Sequence, residues 1–102
     1  MTARTPLIAG NWKMYKTEAE AEEYIQALLP RVSAVQGTEV AICVPFTDLK
    51  AMADSARGSP VFVYAQNMHE RPEGPFTGEV SAPMLSEAGA VSYTHLTLPT
   101  KA

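Results

Sequence analysis

Three short, nearly continuous apolar runs constrain the fold of this chain more than any other feature. They occupy residues 7–9 (LIA), 40–44 (VAICV) and 61–65 (VFVYA). A strand covered on one face alternates apolar and polar side chains, whereas a continuous run is typical of a parallel strand covered on both faces. Helical patterns separate the runs, so the sequence predicts a β-α-β-α-β-α order and an α/β fold with a parallel sheet.

Capping residues and apolar spacing locate the first helix. Thr17 can cap its first turn, and Glu20 three residues later completes a capping box. An apolar face at helical spacing follows, formed by Tyr24, Ile25, Leu28, Leu29 and Val32. Pro30 lies inside this pattern and predicts a kink or an early end of the helix.

Two further helices are predicted downstream. One runs from Thr47 or Asp48 to about residue 56, and its predicted buried face holds Leu49, Met52 and Ala53. The other follows Ser81, with proline in its first turn and Gly89 at its end, which is the usual asymmetry of helix termini. Residues 66–80 connect it to the third strand through a long link rich in glycine, proline and charge.

Three parallel strands with helices between them would leave both edges of the sheet open. Open edges invite pairing with other chains, and parallel sheets persist when they are wide or closed into a barrel. We therefore expect residues 1–90 to be the N-terminal part of a larger α/β domain.

Composition limits the partners and the compartment. The 102 residues carry 8 basic and 11 acidic side chains, a formal charge of −3, which argues against nucleic acid or an anionic membrane as partner. Cys43 is the single cysteine, so no intramolecular disulfide can form, which suits a reducing compartment. No apolar run reaches membrane-spanning length and no signal peptide is apparent. We therefore expect a cytoplasmic protein. We expect no metal site, because two histidines and one cysteine give no metal-ligand spacing, and we expect no cofactor.

The segment AGNWKM at residues 9–14 is the strongest candidate for chemistry. Asn11 and Lys13 are two residues apart, so in extended geometry both side chains would project to the same side. They follow a buried strand, at the edge where parallel sheets and barrels place ligands. An ammonium beside an amide could hold a phosphate or stabilise an oxyanion. The alternative is an ordinary loop lysine and a turn asparagine.

Four segments together resemble one enzyme family, the triose-phosphate isomerases. These are LIAGNWKMYKT, VPFTDL, AQNMH and GPFTGEVSAPML, in order and at matching spacing across residues 5–89. The resemblance implies a (β/α)8 TIM barrel that acts as a cytoplasmic homodimer in glycolysis and gluconeogenesis. Its reaction would interconvert D-glyceraldehyde 3-phosphate and dihydroxyacetone phosphate by proton transfer through an enediolate.

The resemblance also implies roles for individual residues. Asn11 would bind the substrate, and Lys13, as a catalytic residue, would neutralise the charge of the phosphate and the enediolate. Thr77 would reach into the partner subunit. The predicted dimer interface comprises Met14, Gln66, Thr77, Gly78 and Glu79.

The remaining candidates have plainer interpretations. We expect His69 to be a solvated loop histidine and Cys43 to be a small core residue. Trp12 is expected to pack in the core. Met14 is expected either to pack there or to contact the partner.

The end of the chain departs from the family pattern. The family's fourth strand should be apolar and end in Gly-His-Ser-Glu-Arg, whose histidine is the electrophile, whereas residues 91–98 read VSYTHLTL. His95 follows Thr94 instead of a glycine, so we predict that it is not catalytic. The segment resembles a translated sequencing adapter, because GTCTCTTATACACATCTG encodes residues 91–96. We therefore expect residues 91–102 to be non-native.

Three functional interpretations remain at this stage. In the first, the chain is the N-terminal part of an isomerase, inactive and poorly folded alone because the family's histidine and its glutamate base are missing. In the second, it is a non-catalytic half-barrel interaction module. In the third, it belongs to another phosphate-binding βα barrel, which the FTGE segment at residues 76–79 argues against.

Overall fold

The computed structural model describes residues 5–93, which form one parallel sheet with helices between its strands. The elements in chain order are β1 (Leu7–Asn11), α1 (Glu18–Val32), β2 (Glu39–Val44), α2 (Phe46–Ala56), β3 (Val61–Ala65), α3 (Ala82–Ala88) and β4 (Ser92–Tyr93). The strands lie in the order β1-β2-β3-β4, and each neighbouring pair is parallel. The predicted alternation of strands and helices is confirmed.

The capping box of α1 is also confirmed. The backbone N–H of Glu20 donates to Thr17 Oγ1 at 3.4 Å, and the Thr17 N–H donates to Glu20 Oε1 at 2.8 Å. These hydrogen bonds from Thr17 hold the pKa of Glu20 below its ordinary value. Pro30 lies inside α1, which continues to Val32, so the helix does not end at the proline.

A single apolar core lies between the helices and one face of the sheet. Strand register places Ile42 opposite Val63 and Val44 opposite Ala65, so these side chains share the face that the helices cover. The buried cluster consists of Trp12, Ala21, Ile25, Ile42, Val44, Leu49, Met52, Ala56, Val61, Val63, Ala65 and Leu85. The core therefore holds β2 and β3 in place, and with them the backbone at the C-terminal ends of these two strands.

Strand β1 is less covered than its apolar sequence predicts. The side chains of Leu7 and Ile8 are 38% and 63% exposed. The expectation that every strand is covered on both faces is therefore wrong for β1. Its physical reason is position, because β1 is the edge strand of the sheet in residues 5–93 and pairs only with β2 there.

Helix α3 ends at a glycine that meets α2 closely. Gly89 has φ 105°, and its N–H donates to the carbonyl oxygens of Leu85 and Ser86 at 3.1 Å each. A Cβ at this position would lie 2.6 Å from the Cβ of Ala53. Both the left-handed backbone and the close approach therefore require glycine here.

We expect Gly89→Ala to lower the free energy of unfolding by about 2–4 kcal/mol, since strain at positive φ and steric overlap add. Gly58 is a matched control, because its φ is 78° and its added Cβ would meet no atom within 4 Å. Gly58→Ala should cost about 1–2 kcal/mol, from the backbone alone. Pulse proteolysis across a urea series measures both, in a full-length barrel that carries residues 5–89 of this chain. Equal losses would show that contact with Ala53 contributes nothing.

Candidate active site

The chain leaves β1 through a tight polar turn. Asn11 is the last strand residue, and Lys13 has φ 56°. The Lys13 backbone N–H donates to Asn11 Oδ1 at 2.8 Å. The extended geometry assumed for these two residues is therefore wrong, because a side-chain-capped turn brings them together. A positive φ is rare for a residue with a Cβ, and such conformations concentrate at functional sites.

Gln66, the residue after β3, joins this turn to the neighbouring strand. Its Nε2 lies 3.2 Å from Asn11 Oδ1, 2.9 Å from the Lys13 carbonyl oxygen and 3.2 Å from the Cys43 carbonyl oxygen. One amide group thus links the C-terminal ends of three strands. The resemblance assigns Gln66 to a dimer interface, and sequence reasoning missed this contact because the strand register that creates it is not visible locally.

The strand register also defines what lies under the turn. Asn11 is paired with Cys43, and Cys43 with Tyr64, so the three residues form one row across the sheet. Cys43 is 3% exposed, which confirms it as a small core residue. Burial raises the pKa of its thiol, so the thiol stays neutral at physiological pH and supplies no charge to the site.

An aromatic anchor holds the other side of the turn. Trp12 is buried, as predicted, and meets Tyr24 of α1 edge to face with ring centroids 5.1 Å apart. The Trp12 backbone N–H donates to the Cys43 carbonyl oxygen at 3.0 Å. Lys16 Nζ lies 5.6 Å from the Trp12 ring centroid and 5.5 Å from that of Tyr24. The residue between Asn11 and Lys13 is therefore fixed to both β2 and α1.

Met14 does not pack in the core. Its side chain is 94% exposed, and that of Tyr15 is 71% exposed. The core alternative for Met14 is therefore wrong, while its contact with a partner stays a prediction. Two large exposed side chains directly after Lys13 leave the outer side of the turn uncovered within residues 5–93.

The link at residues 66–80 is ordered by a histidine. The His69 backbone N–H donates to the Val80 carbonyl oxygen at 2.8 Å and so joins the two ends of the link. Its ring stacks on that of Phe76 with centroids 4.3 Å apart, and its Nδ1 accepts a hydrogen bond from the Arg71 backbone N–H at 3.0 Å. The expectation of a solvated loop histidine is wrong, because these contacts engage both the ring and the backbone.

The tip of this link is an exposed turn. The Glu79 N–H donates to the Phe76 carbonyl oxygen at 3.0 Å, and Gly78 has φ 89°. Thr77 and Glu79 are both exposed. The turn is thus preformed and accessible, although contact of Thr77, Gly78 and Glu79 with a partner stays a prediction.

A buried carboxyl group lies at the start of α2. Asp48 is fully buried, and neither of its oxygens has a hydrogen-bond partner in the described part of the chain. Burial raises the pKa of Asp48, and the nearby charges of Glu18 and Glu20 raise it further. The fold therefore favours the protonated form of this side chain.

We expect Asp48 to destabilise the fold as pH rises above about 4, the ordinary aspartate pKa, because its carboxyl ionises in the unfolded chain before it ionises in the folded one. Asp48→Asn cannot ionise, so at pH 7 it should raise the free energy of unfolding by about 1 kcal/mol or more. The difference should shrink towards pH 4. Asp54→Asn is the control, because Asp54 is an exposed partner of Lys50 and Arg57, worth about 0–1 kcal/mol. A gain that is the same at both pH values would contradict the ionisation argument.

A polar turn at the C-terminal ends of parallel strands, with a helix after each of the first three strands, is typical of the first units of a (β/α)8-barrel enzyme. A sequence model of the family described as triosephosphate isomerase matches residues 6–95. The chain belongs to the triosephosphate isomerase family.

Individual relatives agree with this assignment. The triosephosphate isomerase of Symbiobacterium thermophilum is 50% identical over 86 residues, covering 84% of this chain and 34% of the relative. That of Synechococcus sp. (strain JA-2-3B'a(2-13)) is 51% identical over 92 residues, covering 84% and 36%. The crystal structure of the Bartonella henselae triosephosphate isomerase aligns with a TM-score of 0.78 and 41% identity, covering 85% and 35%. The chain spans about a third of the length of these proteins.

Several predictions lie outside what the structure tests. His95 and the rest of residues 94–102 lie outside the described residues. Of the predicted tail 91–102, residues 91–93 are described, and Ser92–Tyr93 form β4 against β3. The predictions of a non-catalytic histidine and a non-native tail stay predictions. Within residues 5–93, no group of three or more His, Cys, Asp or Glu side chains could hold a metal ion. No helix in the same range is both long and apolar enough to cross a membrane.

Proposed function

We propose that this chain forms the N-terminal part of an enzyme that interconverts D-glyceraldehyde 3-phosphate and dihydroxyacetone phosphate. The observation that carries the proposal is the left-handed Asn11–Lys13 turn at the C-terminal end of β1. It supplies a cation and an amide at the edge of the sheet where barrel enzymes bind substrate. Proton transfer through an enediolate develops negative charge on oxygen, which such groups stabilise.

The hydrogen bonds of Asn11 support a donor role toward the substrate. Its Oδ1 already accepts the Lys13 N–H and faces Gln66 Nε2. Because the amide oxygen is engaged within the chain, the amide NH2 is the end left to donate to a substrate oxygen. Lys13 would act as the catalytic cation, neutralising the phosphate and the enediolate.

We further propose that the intact enzyme is a cytoplasmic homodimer. The turn at residues 76–79 is preformed and exposed, and a link of about 15 residues is unusual in a compact domain unless it has a function. Exposed Met14 beside the active-site turn would lie in the same interface. Thr77, Gly78 and Glu79 would contact the partner subunit at this place.

A hybrid enzyme tests the proposal. Residues 5–89 of this chain would replace the corresponding segment of the full-length Symbiobacterium thermophilum enzyme, produced in a host that lacks its own isomerase. We expect a dimer in sedimentation and turnover of both triose phosphates. A folded dimeric hybrid without turnover would overturn the proposed function.

The exposed edge of β1 favours a second candidate function, a half-barrel module that binds another protein. Leu7 and Ile8 present apolar surface on a strand that, within residues 5–93, pairs with a neighbour on one side only, which is an arrangement that recruits a further strand. Sedimentation of the chain mixed with an intact isomerase tests this candidate. A stable mixed complex would support it, and independent sedimentation of the two proteins would reject it.

A further inference from the structure

We propose that Gln66 is a positioning residue for the reaction, whose side-chain amide holds the Asn11–Lys13 turn in its active geometry. This inference rests on the proposed function. It assigns Gln66 a role inside its own subunit, beyond the interface role that the family resemblance implies.

The first argument is the set of atoms around the Gln66 amide. Its Nε2 faces three oxygens at 2.9–3.2 Å. The shortest contact is to the carbonyl oxygen of Lys13, whose φ is 56°. A left-handed residue with a Cβ persists only where its surroundings hold it. Gln66, at the C-terminal end of β3, supplies that support through its hydrogen bond to the Lys13 carbonyl oxygen.

The second argument concerns the orientation of the Asn11 amide. A free asparagine side chain can rotate its oxygen and nitrogen ends, and only one orientation offers a donor to the substrate. Here the Lys13 N–H and Gln66 Nε2 both point at Oδ1. Loss of Gln66 would remove one of the two contacts that select the productive orientation.

The third argument is the link to the rest of the sheet. Gln66 directly follows β3, and its amide also reaches the Cys43 carbonyl oxygen of β2. The turn after β1 is thereby tied to the two strands that the core buries. Edge strand β1 is partly exposed, so this connection fixes the turn where β1 alone would not.

Two substitutions in the hybrid enzyme test the proposal. Gln66→Met keeps the length of the side chain and removes its donors, while Gln66→Glu places carboxylate oxygens against three acceptors. We expect kcat to fall about 10–100-fold in the first, because small displacements of catalytic groups cost that much, and further in the second. Gln26→Met, on the exposed face of α1, is the matched control and should keep the parent kcat.

Protein concentration separates positioning from an interface role. If Gln66 only stabilised a dimer, raising the protein concentration until sedimentation shows a complete dimer would restore kcat. We expect the loss in kcat to persist in the fully dimeric Gln66→Met hybrid. Recovery of the parent kcat at that concentration would overturn the positioning role.

A second readout does not depend on turnover. The HN–Hα coupling and carbon shifts of Lys13, measured by NMR in the hybrid, report its φ. We expect the left-handed signature in the parent and in Gln26→Met, and its loss in Gln66→Met. An unchanged Lys13 signature would reject the inference. If the parent hybrid is folded but inactive, the proposed function fails, while the NMR comparison still decides whether Gln66 holds the turn.

Discussion

The 102-residue chain, purified free of host isomerase, is expected to give no detectable interconversion of the two triose phosphates. The resemblance to the family implies an electrophilic histidine followed by serine and a glutamate base on a later strand, and residues 5–93 show neither group beside the Asn11–Lys13 turn. A positioned base and a preorganised electrophile each contribute about 10²–10⁴-fold to such reactions. The retained lysine and asparagine cannot substitute for proton transfer.

Coupled assays in both directions measure this, with the hybrid enzyme as the positive control. A His95→Gln variant of the same 102-residue chain sharpens the outcome. Activity in the parent chain that disappears in His95→Gln would show that this histidine acts as the electrophile after all. Activity that survives in His95→Gln would point to groups in residues 5–93 that the mechanism does not include.

Features encoded by neighbouring residues could be predicted from the sequence. The capping box of Thr17 and Glu20 and the glycine end of α3 depend on residues within a few positions of each other, and both are confirmed. The sequence also predicts strands β2 and β3, because a short continuous apolar run bounded by turn residues is typical of a buried strand.

Features that depend on strand register could not be predicted. Gln66 is 55 residues from Asn11 in sequence, and only the parallel pairing of β1, β2 and β3 brings them together. The sequence predicts an extended Lys13, since no residue next to it requires a positive φ; the hydrogen bonds around Lys13 impose that φ. The sequence predicts a solvated His69 because its stacking partner, Phe76, lies seven positions away across the link.

Exposure of β1 was not predicted for a different reason, which also left two alternatives open for Met14. An apolar sequence predicts burial but does not name the surface that covers it. Ile8 is exposed in residues 5–93 because its strand is an edge there, and Met14 because its turn projects from the sheet. In the proposed dimeric barrel, further strands or a partner subunit would cover both side chains.

Replacing Lys13 with methionine in the hybrid enzyme should lower kcat/KM by about 10²–10³-fold or more, because the substitution keeps the length of the side chain and removes its charge. The cation is needed both for the phosphate and for the developing enediolate. Lys13→Arg should recover part of the loss, since it restores the charge but not the compact ammonium.

Lys16 offers an unusually close control. It is also a lysine of this turn, and its φ of 80° is also left-handed, so Lys16→Met imposes the same loss of charge and the same backbone requirement three residues away. Its Nζ lies over Trp12 and Tyr24, a contact worth about 0.5–1 kcal/mol at an exposed site. Lys16→Met should therefore cost some stability and little kcat/KM. Equal losses in the two variants would mean that net positive charge near the turn matters, and that Lys13 has no specific place in the reaction.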